Sequence, residues 1–365
     1  MEIKWIKSIL FFKSHYLAMH VLNCPLMGHY HLNSASCYYI IMTNKEMIIK
    51  QDMVNFPIKE DVNGARVVFL LGNEREGGCV YRCSFCNVRD LHVSTHKENK
   101  ANFRKQYDAF KEELGYKNYH ALLYNEGNGT NKEELSRETL EYILDTFNED
   151  EKISFLSINS REEQATSDVL DYLADKYLNY PVHFILGQES FSERTPRVLG
   201  KNTNGSLERF VEKLRGYNQR DSTNKRKDYT FGLDVNLVFL PELYLDEGES
   251  REGNESKIRE GIKKDLWQLL QHVNPDVPIE INIHCYSRVD KLSLKSANYG
   301  ILLQIVPELQ GMVEEHNITK QGYETHIFLG YNCDEQTEDG KVNPEAVYLN
   351  QSTAIFNKTG KLGGK

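Results

Sequence analysis

The sequence has no apolar run that approaches the roughly 20 residues a membrane-spanning helix requires. It is also short of positive charge, because 44 Lys and Arg residues face 53 Asp and Glu residues and leave a net charge of −9. A broad basic face for nucleic-acid phosphates is therefore not indicated, although a local basic patch is compatible with this charge. With 40% hydrophobic and 27% charged residues among 365, the chain is expected to be a soluble globular protein with a sizeable core.

Cysteine pairs at disulfide-like spacings are missing as well. The chain has seven cysteines, an odd number. Four of them are scattered along the chain: Cys24, Cys37, Cys285 and Cys333. This distribution argues against a disulfide framework and favours a reducing compartment. The basic and apolar start of the chain is interrupted by Lys13 and His15, which makes it a poor signal peptide. We therefore expect a cytoplasmic protein.

The first 60 residues differ from the rest of the chain. Residues 1–60 are rich in Tyr, His and Met and show no period of 2 or 3.6 residues. They are interpreted either as an N-terminal extension or as an over-extended gene start, since Met47 and Met53 stand just before the regular pattern begins. We assign residues 61–330 to one barrel domain and residues 331–365 to a C-terminal extension with a flexible tail.

From about residue 65 the sequence alternates between apolar runs of strand length and amphipathic helical segments. Strands are predicted at 66–71, 119–124, 153–158, 182–187, 231–240, 279–285 and 326–330. Helices are predicted at 103–114, 138–147, 167–178, 207–217 and 258–273. Alternation at this spacing predicts parallel strands with right-handed crossovers. About six or seven such units suggest a barrel rather than a flat doubly wound sheet, and the absence of a glycine-rich dinucleotide fingerprint after the first strand weakens the flat-sheet alternative. We therefore expect an α/β fold of the partial (β/α)6-type TIM barrel.

Three cysteines lie together directly after the first predicted strand, at a spacing of C-x3-C-x2-C. They are Cys79, Cys83 and Cys86. Their loop follows a strand of a parallel sheet, where such folds build their sites, and Gly77 and Gly78 allow a tight turn before it. Three thiolates on one loop can hold three irons of a [4Fe–4S] cluster and leave the fourth iron open. The alternative is a zinc site completed by His92 or His96, although this spacing is unusual for zinc.

The motif, with Phe85 before its last cysteine and a β/α chain around it, resembles that of the radical S-adenosylmethionine superfamily. The resemblance covers roughly residues 66–300 and extends to the elongator-type and archaeosine-synthase-type members. It rests further on "YNEGNGT" (124–130), "NSREE" (159–163) and "LGQESFSERTPRVLGKNTNGSLERF" (186–210). The sequence departs from the family pattern at Glu126, where glycine is common, at Asn159, which replaces a glutamate, and at Gln188, which replaces a leucine.

The resemblance implies a radical enzyme whose [4Fe–4S] cluster reductively cleaves S-adenosylmethionine. The 5′-deoxyadenosyl radical that is released would abstract hydrogen from a substrate. The implied cluster ligands are Cys79, Cys83 and Cys86. The candidate cofactor contacts are Phe85, Glu126, Gly127, Ser160, Arg161 and Glu189. A low-potential electron donor such as flavodoxin or ferredoxin is implied by the chemistry. The substrate stays open between a small molecule, a peptide and tRNA.

Each candidate also has a structural interpretation, which the residues leave open. Gly127 lies among ordinary turn residues, and Arg161 is compatible with a surface position as well as with binding a carboxylate. Asn236 either points into the barrel or forms a bonded core amide. Cys285 is either a hydrogen donor at the barrel mouth or an inert buried thiol. For the whole chain, a binding or scaffold protein that keeps the cluster without radical turnover is the alternative function.

Overall fold

The computed structural model of the protein describes residues 58–61, 64–81, 83, 93–114, 118–176, 178–221, 230–285, 299–319, 324–330, 352–353 and 356–357. The strands of this part of the chain are β1 (Ile58–Asp61), β2 (Gly64–Leu71), β3 (Tyr119–Asn125), β4 (Ile153–Ser160), β5 (Val182–Glu189), β6 (Phe231–Phe239), β7 (Ile279–Cys285) and β8 (Ile327–Leu329). The helices are α1 (His96–Leu114), α2 (Arg137–Asn148), α3 (Ser167–Asp175), α4 (Thr195–Leu199), α5 (Ser206–Asp221), α6 (Glu255–Gln271) and α7 (Tyr299–Thr319). Most of the predicted N-terminal and C-terminal extensions lie outside the described residues.

The strands form a single sheet in which spatial order follows sequence order. Strand β1 pairs antiparallel with β2, and the seven strands from β2 to β8 are all parallel. Helices connect the parallel strands in succession, as right-handed crossovers require. The predicted α/β partial TIM barrel is therefore confirmed. The sequence pattern did not predict β1 or α7, whose apolar residues are interrupted by Pro307.

The sheet curls so that its first and last parallel strands approach each other. Arg66 on β2 donates from Nη1 to Oδ1 of Asn282 on β7, at 2.8 Å. The guanidinium carbon of Arg66 also lies 4.3 Å from the ring centroid of Phe328 on β8. A flat sheet of seven strands would separate β2 from β7 by about 24 Å, given the usual spacing of 4.7–4.9 Å between neighbouring strands. These contacts therefore define the inside of a curled half-barrel.

The outer face of the sheet is apolar and packs against the helices. On β2, Phe69 is fully buried and its ring centroid lies 5.4 Å from that of Phe103 on α1 and 5.2 Å from that of Phe147 on α2. Because side chains alternate across a strand, the residues between these apolar positions point to the inside of the barrel. Arg66 and His120, which are paired neighbours on β2 and β3, are two of these inward residues. The main core therefore lies between sheet and helices.

The loops enter their helices through ordinary capping interactions. The Thr95 hydroxyl accepts from the Glu98 main-chain N–H at 3.2 Å, and the Glu98 carboxylate accepts from the Thr95 main-chain N–H at 2.7 Å, which is a capping box at the start of α1. At α2, Ser136 caps the main-chain N–H of Thr139. Of the helices within the described residues, none combines the length and the apolar character that crossing a bilayer would need.

Candidate functional site

The loop that carries the cysteines starts at the carboxyl end of β2. Its base is fixed by Asn73, whose main-chain oxygen accepts from the Ser94 N–H at 2.8 Å, so the loop leaves and returns at the same place. Gly77 and Gly78 have φ angles of 83° and 71°, which supports the predicted tight turn. Cys79 and Cys83 are half-buried on this loop. Phe85 and Cys86, the other two predicted residues of the motif, lie outside the described residues.

The loop after β3 lies directly beside the cysteine loop. The side-chain amide of Asn73 donates to the main-chain oxygen of Glu126 at 2.6 Å, and the Glu126 N–H donates to Leu71 at 3.0 Å. The Glu126 side chain is half-buried, and its Oε2 is a buried atom that has no hydrogen-bond partner among the described residues. Burial without a partner disfavours the charged form and raises the pKa of Glu126 to about 8. Glu126 therefore lies next to the cysteine loop, and its Oε2 can accept a hydrogen bond from a bound ligand.

A second carboxylate, Glu134, joins these two loops. Its side chain is fully buried. Oε1 accepts from the Val80 N–H at 3.2 Å, next to Cys79, and Oε2 accepts from the Asn128 N–H at 2.7 Å. A β-carbon at Gly127 would lie 1.9 Å from Glu134 Oε2, so only glycine lets the carboxylate reach this position. The close approach that Gly127 permits is an approach of Glu134 within the chain, while Gly127 itself was predicted as a cofactor contact.

The end of β4 is tied to the same loop by Asn159. Its side-chain nitrogen donates to the main-chain oxygens of Asn125 and Gly127, at 3.1 and 2.6 Å, and its oxygen accepts from the Gly129 N–H at 3.2 Å. An amide can do both, whereas a glutamate carboxylate at this position would only accept. The departure from the family pattern at Asn159 therefore gives a donor for the Gly127 carbonyl.

Ser160 and Arg161, at the end of β4, are both in contact with neighbouring loops. The Ser160 hydroxyl is 2.6 Å from that of Thr130. The guanidinium carbon of Arg161 lies 3.7 Å from the ring centroid of Tyr81, which belongs to the cysteine loop, and Nε of Arg161 is 3.1 Å from Glu163. Arg161 therefore supports the cysteine loop through a cation–π contact.

Glu189 ends β5 in an unusual backbone conformation, with a φ of 63°. Its carboxylate accepts from Lys201 Nζ at 2.6 Å, and both side chains are largely buried, with 7% and 11% exposure. A β-carbon at Gly187 would lie 2.4 Å from both charged groups, so glycine makes room for the pair. Gln188 points away, to Thr203 and the Ser190 main chain. The predicted cofactor contact Glu189 thus lies at the expected strand end and already has a cationic partner.

The inside of the barrel carries a buried polar cluster that sequence patterns did not predict. Asp234 on β6 lies 3.4 Å from His120 Nε2 and 3.2 Å from His183 Nδ1. Burial by itself would raise the pKa of Asp234, but the hydrogen bond with His183 and the nearby Arg66 guanidinium hold this pKa below its usual range, while burial lowers the pKa of His120 well below 6.5. Nearer the mouth, Asn236 accepts from Asn282 Nδ2 at 3.0 Å, so it is an inward-pointing amide with a bonded neighbour.

The remaining candidates from the sequence lie away from this site or outside the described residues. His96, proposed as a ligand in the zinc alternative, is exposed at the start of α1, with Nε2 3.8 Å from a carboxylate oxygen of Glu138. His92 and the side chain of Cys285 lie outside the described residues. Glu134, Asn128 and Tyr81 were missed because the sequence does not show which side chains of these loops contact one another. The one available signal was the position of "YNEGNGTNKEEL" after the second parallel strand.

Comparison with known proteins gives a match to one family. Residues 76–235 match the family described as the Radical SAM superfamily, a segment that begins at the cysteine loop and ends within β6. A curated relative, the uncharacterized protein MJ0550 of Methanocaldococcus jannaschii, is 26% identical over 179 residues, which are 48% of this chain and 45% of the relative. The chain thus spans about half the length of this curated relative.

Two solved structures have distant similarity. A spore photoproduct lyase variant with bound AdoMet and dinucleoside spore photoproduct has a TM-score of 0.42 and 13% identity, over 72% of this chain and 75% of that one. The Elp3 of the archaeon Methanocaldococcus infernus, with an N-terminal deletion, has a TM-score of 0.43 and 12% identity, over 82% of this chain and 68% of that one.

Proposed function

We propose that this chain is a radical enzyme of the radical SAM superfamily that uses a [4Fe–4S] cluster and S-adenosylmethionine, because residues 76–235 match the model of that family. The observation that carries the proposal is this family match, which includes the C-x3-C-x2-C loop at the carboxyl edge of the parallel strands. The cluster, when bound, supplies the electron that cleaves S-adenosylmethionine to a 5′-deoxyadenosyl radical, which takes a hydrogen atom from the substrate.

The cysteine loop fits a cluster in its donor set. Cys79, Cys83 and Cys86 are the proposed ligands, and thiolates are the usual ligands of iron–sulfur clusters. The loop is braced from two sides, because Glu134 binds the main chain next to Cys79 and Arg161 lies over the ring of Tyr81. These contacts fix the part of the loop that carries Cys79, which supports the proposed role of Cys79 as a cluster ligand.

The Glu126 carboxyl group fits the ammonium group of the methionyl moiety. Its Oε2 is buried and has no partner among the described residues, and its pKa is raised to about 8 by burial alone. A bound ammonium group would supply both the missing hydrogen bond and the opposite charge, and would favour the carboxylate form. Glu126 is therefore the residue that we propose to hold the cofactor's amino group.

The other proposed cofactor contacts differ in how many of their hydrogen-bonding groups are already used within the chain. Phe85 is proposed beside the cluster from the motif. The Gly127 oxygen already accepts from Asn159, and the Ser160 hydroxyl already contacts Thr130. We therefore propose that Gly127 and Ser160 fix the conformation of the loops that border the cofactor. Arg161 keeps guanidinium N–H groups beyond its Glu163 contact and would bind the cofactor carboxylate.

Glu189 and the barrel interior complete the proposed site. With its charge compensated by Lys201, Glu189 would accept from a ribose hydroxyl without the cost of an uncompensated buried charge. The polar residues inside the barrel would contact the substrate, for which a small molecule, a peptide and tRNA are the candidate classes. A flavodoxin or ferredoxin is the proposed electron donor.

The test is anaerobic reconstitution of the chain with iron and sulfide, followed by addition of dithionite and S-adenosylmethionine. We expect brown absorbance, about four irons per chain and formation of 5′-deoxyadenosine. Replacing Cys79, Cys83 and Cys86 together with alanine should abolish all three, whereas Cys333→Ala should leave them unchanged. Retention of the cluster in the triple variant would refute the assignment. Zinc in place of iron would support the zinc-stapled barrel, and a cluster that never cleaves the cofactor would support a binding protein.

A further inference from the structure

Asn128, in the loop after β3, lies next to one of the proposed cluster ligands. It is buried, with 4% exposure. Its side-chain nitrogen is 3.9 Å from Cys79 Sγ and 3.3 Å from Glu134 Oε2. A side-chain amide nitrogen carries two hydrogens, so it can donate to the carboxylate and to the sulfur at the same time. The contact with sulfur is long, as expected for a weak acceptor, and a thiolate accepts more strongly than a neutral thiol.

Glu134 fixes the position of this amide. Its Oε2 accepts from both the main-chain and the side-chain nitrogen of Asn128, at 2.7 and 3.3 Å. Its Oε1 accepts from the Val80 N–H at 3.2 Å, which follows Cys79 directly. The buried Glu134 carboxylate therefore fixes the Asn128 amide relative to the main chain next to Cys79. The absence of a β-carbon at Gly127 is what leaves room for this arrangement.

We infer that Asn128 donates an N–H···S hydrogen bond to the Cys79 thiolate and thereby raises the reduction potential of the cluster, with Glu134 as the positioning residue. This inference rests on the proposed function. Reduction adds negative charge to the cluster and its sulfur ligands, and a donor aimed at one of these sulfurs stabilises the more negative state. Hydrogen bonds to the sulfurs are among the features that set the potentials of iron–sulfur clusters.

The test is a potentiometric titration of the reconstituted cluster, followed by EPR, in the full chain. Asn128→Ala should lower the midpoint potential. We expect the reduction equilibrium constant to fall by up to about tenfold, which is a shift of about 59 mV for one electron. The matched control is Asn131→Ala, since Asn131 Nδ2 also donates to Glu134, at 3.2 Å, but has no such contact with Cys79 among the described residues. The control should keep the wild-type potential.

Asn128→Leu is the second variant, because it removes the donor while filling the volume of the amide. A lowered potential in either Asn128 variant, with iron content unchanged, supports the inference. A wild-type potential in both variants overturns the inference. The proposed radical function is unaffected by that result as long as the wild-type chain forms 5′-deoxyadenosine. An equal shift in Asn131→Ala also overturns it, because loop conformation would then set the potential. If the wild-type chain assembles no cluster, the proposed function itself fails.

Discussion

Glu126 shows how a single residue in the site is placed at a cost to stability. Its side chain is half-buried next to the cysteine loop, and its buried Oε2 lacks a hydrogen-bond partner in the described part of the chain. The protonated form is favoured in the folded chain, because the pKa rises from 4.5 to about 8. Folding stability then falls as the pH rises from about 4.5 to 8, since the folded state binds the extra proton in this interval.

We predict that Glu126→Gln stabilises the cofactor-free chain at pH 8 and has little effect at pH 5. Each unit of pKa shift is worth roughly 1.4 kcal/mol, so an advantage of about 2 kcal/mol or more is expected at the higher pH, with solvent screening allowed for. Urea unfolding of both proteins at the two pH values measures this. The same substitution should weaken S-adenosylmethionine binding roughly tenfold, because it removes a charged partner. A stability difference that does not grow with pH would contradict the prediction.

At the scale of elements, each loop of the site is held in place by side chains from another loop. The cysteine loop after β2 is held by Glu134, which precedes α2, and by Arg161, which follows β4. In the same way, the end of β5 is held by Lys201 from the segment between α4 and α5. Removing one partner of a buried ion pair leaves the other charge uncompensated, which costs far more than the pair contributes.

Lys201→Met is therefore expected to destabilise the chain by about 3 kcal/mol, because Glu189 would keep a buried charge beside an apolar side chain. The double variant Glu189→Gln with Lys201→Met should recover most of this loss, since no charge then remains. Guanidinium unfolding of the wild type, both single variants and the double variant completes the cycle. Equal costs for Lys201→Met and for the double variant would show that the charge of Glu189 is not the cause.

The whole molecule separates an apolar outer layer from a polar interior. Helices cover one face of the sheet, and the curl encloses the other, where Asp234 lies between His120 and His183. Burial lowers the pKa of His120 well below 6.5, so this imidazole is neutral in the folded chain. The unfolded chain takes up a proton there as the pH falls through about 6.5, and folding stability decreases in the same interval.

His120→Gln is predicted to make the chain less sensitive to acid. Wild-type stability should fall between pH 7 and pH 5 by up to roughly 1.4 kcal/mol per pH unit more than that of the variant, because the variant has no imidazole to protonate on unfolding. The ionised Asp234 adds its own loss of folding stability only below about pH 4, where aspartates of the unfolded chain take up protons, because its pKa in the folded chain is lower than that. His96→Gln, at an exposed position, is the control and should keep the wild-type slope. Parallel slopes for wild type and His120→Gln would exclude this role.

The sequence by itself determined the fold class and the three-cysteine motif. Both are local in origin: strand and helix periods arise from backbone geometry, and three thiols within eight residues need no distant partner. Only the tertiary structure decided which polar residues support the site. No sequence signal singled out Glu134, Asn128 or Lys201 within their stretches, because the contacts that give them a role are made with other strands and loops. The barrel interior is the same case, because the curl of the sheet places Arg66 next to Asn282, 216 residues away in sequence.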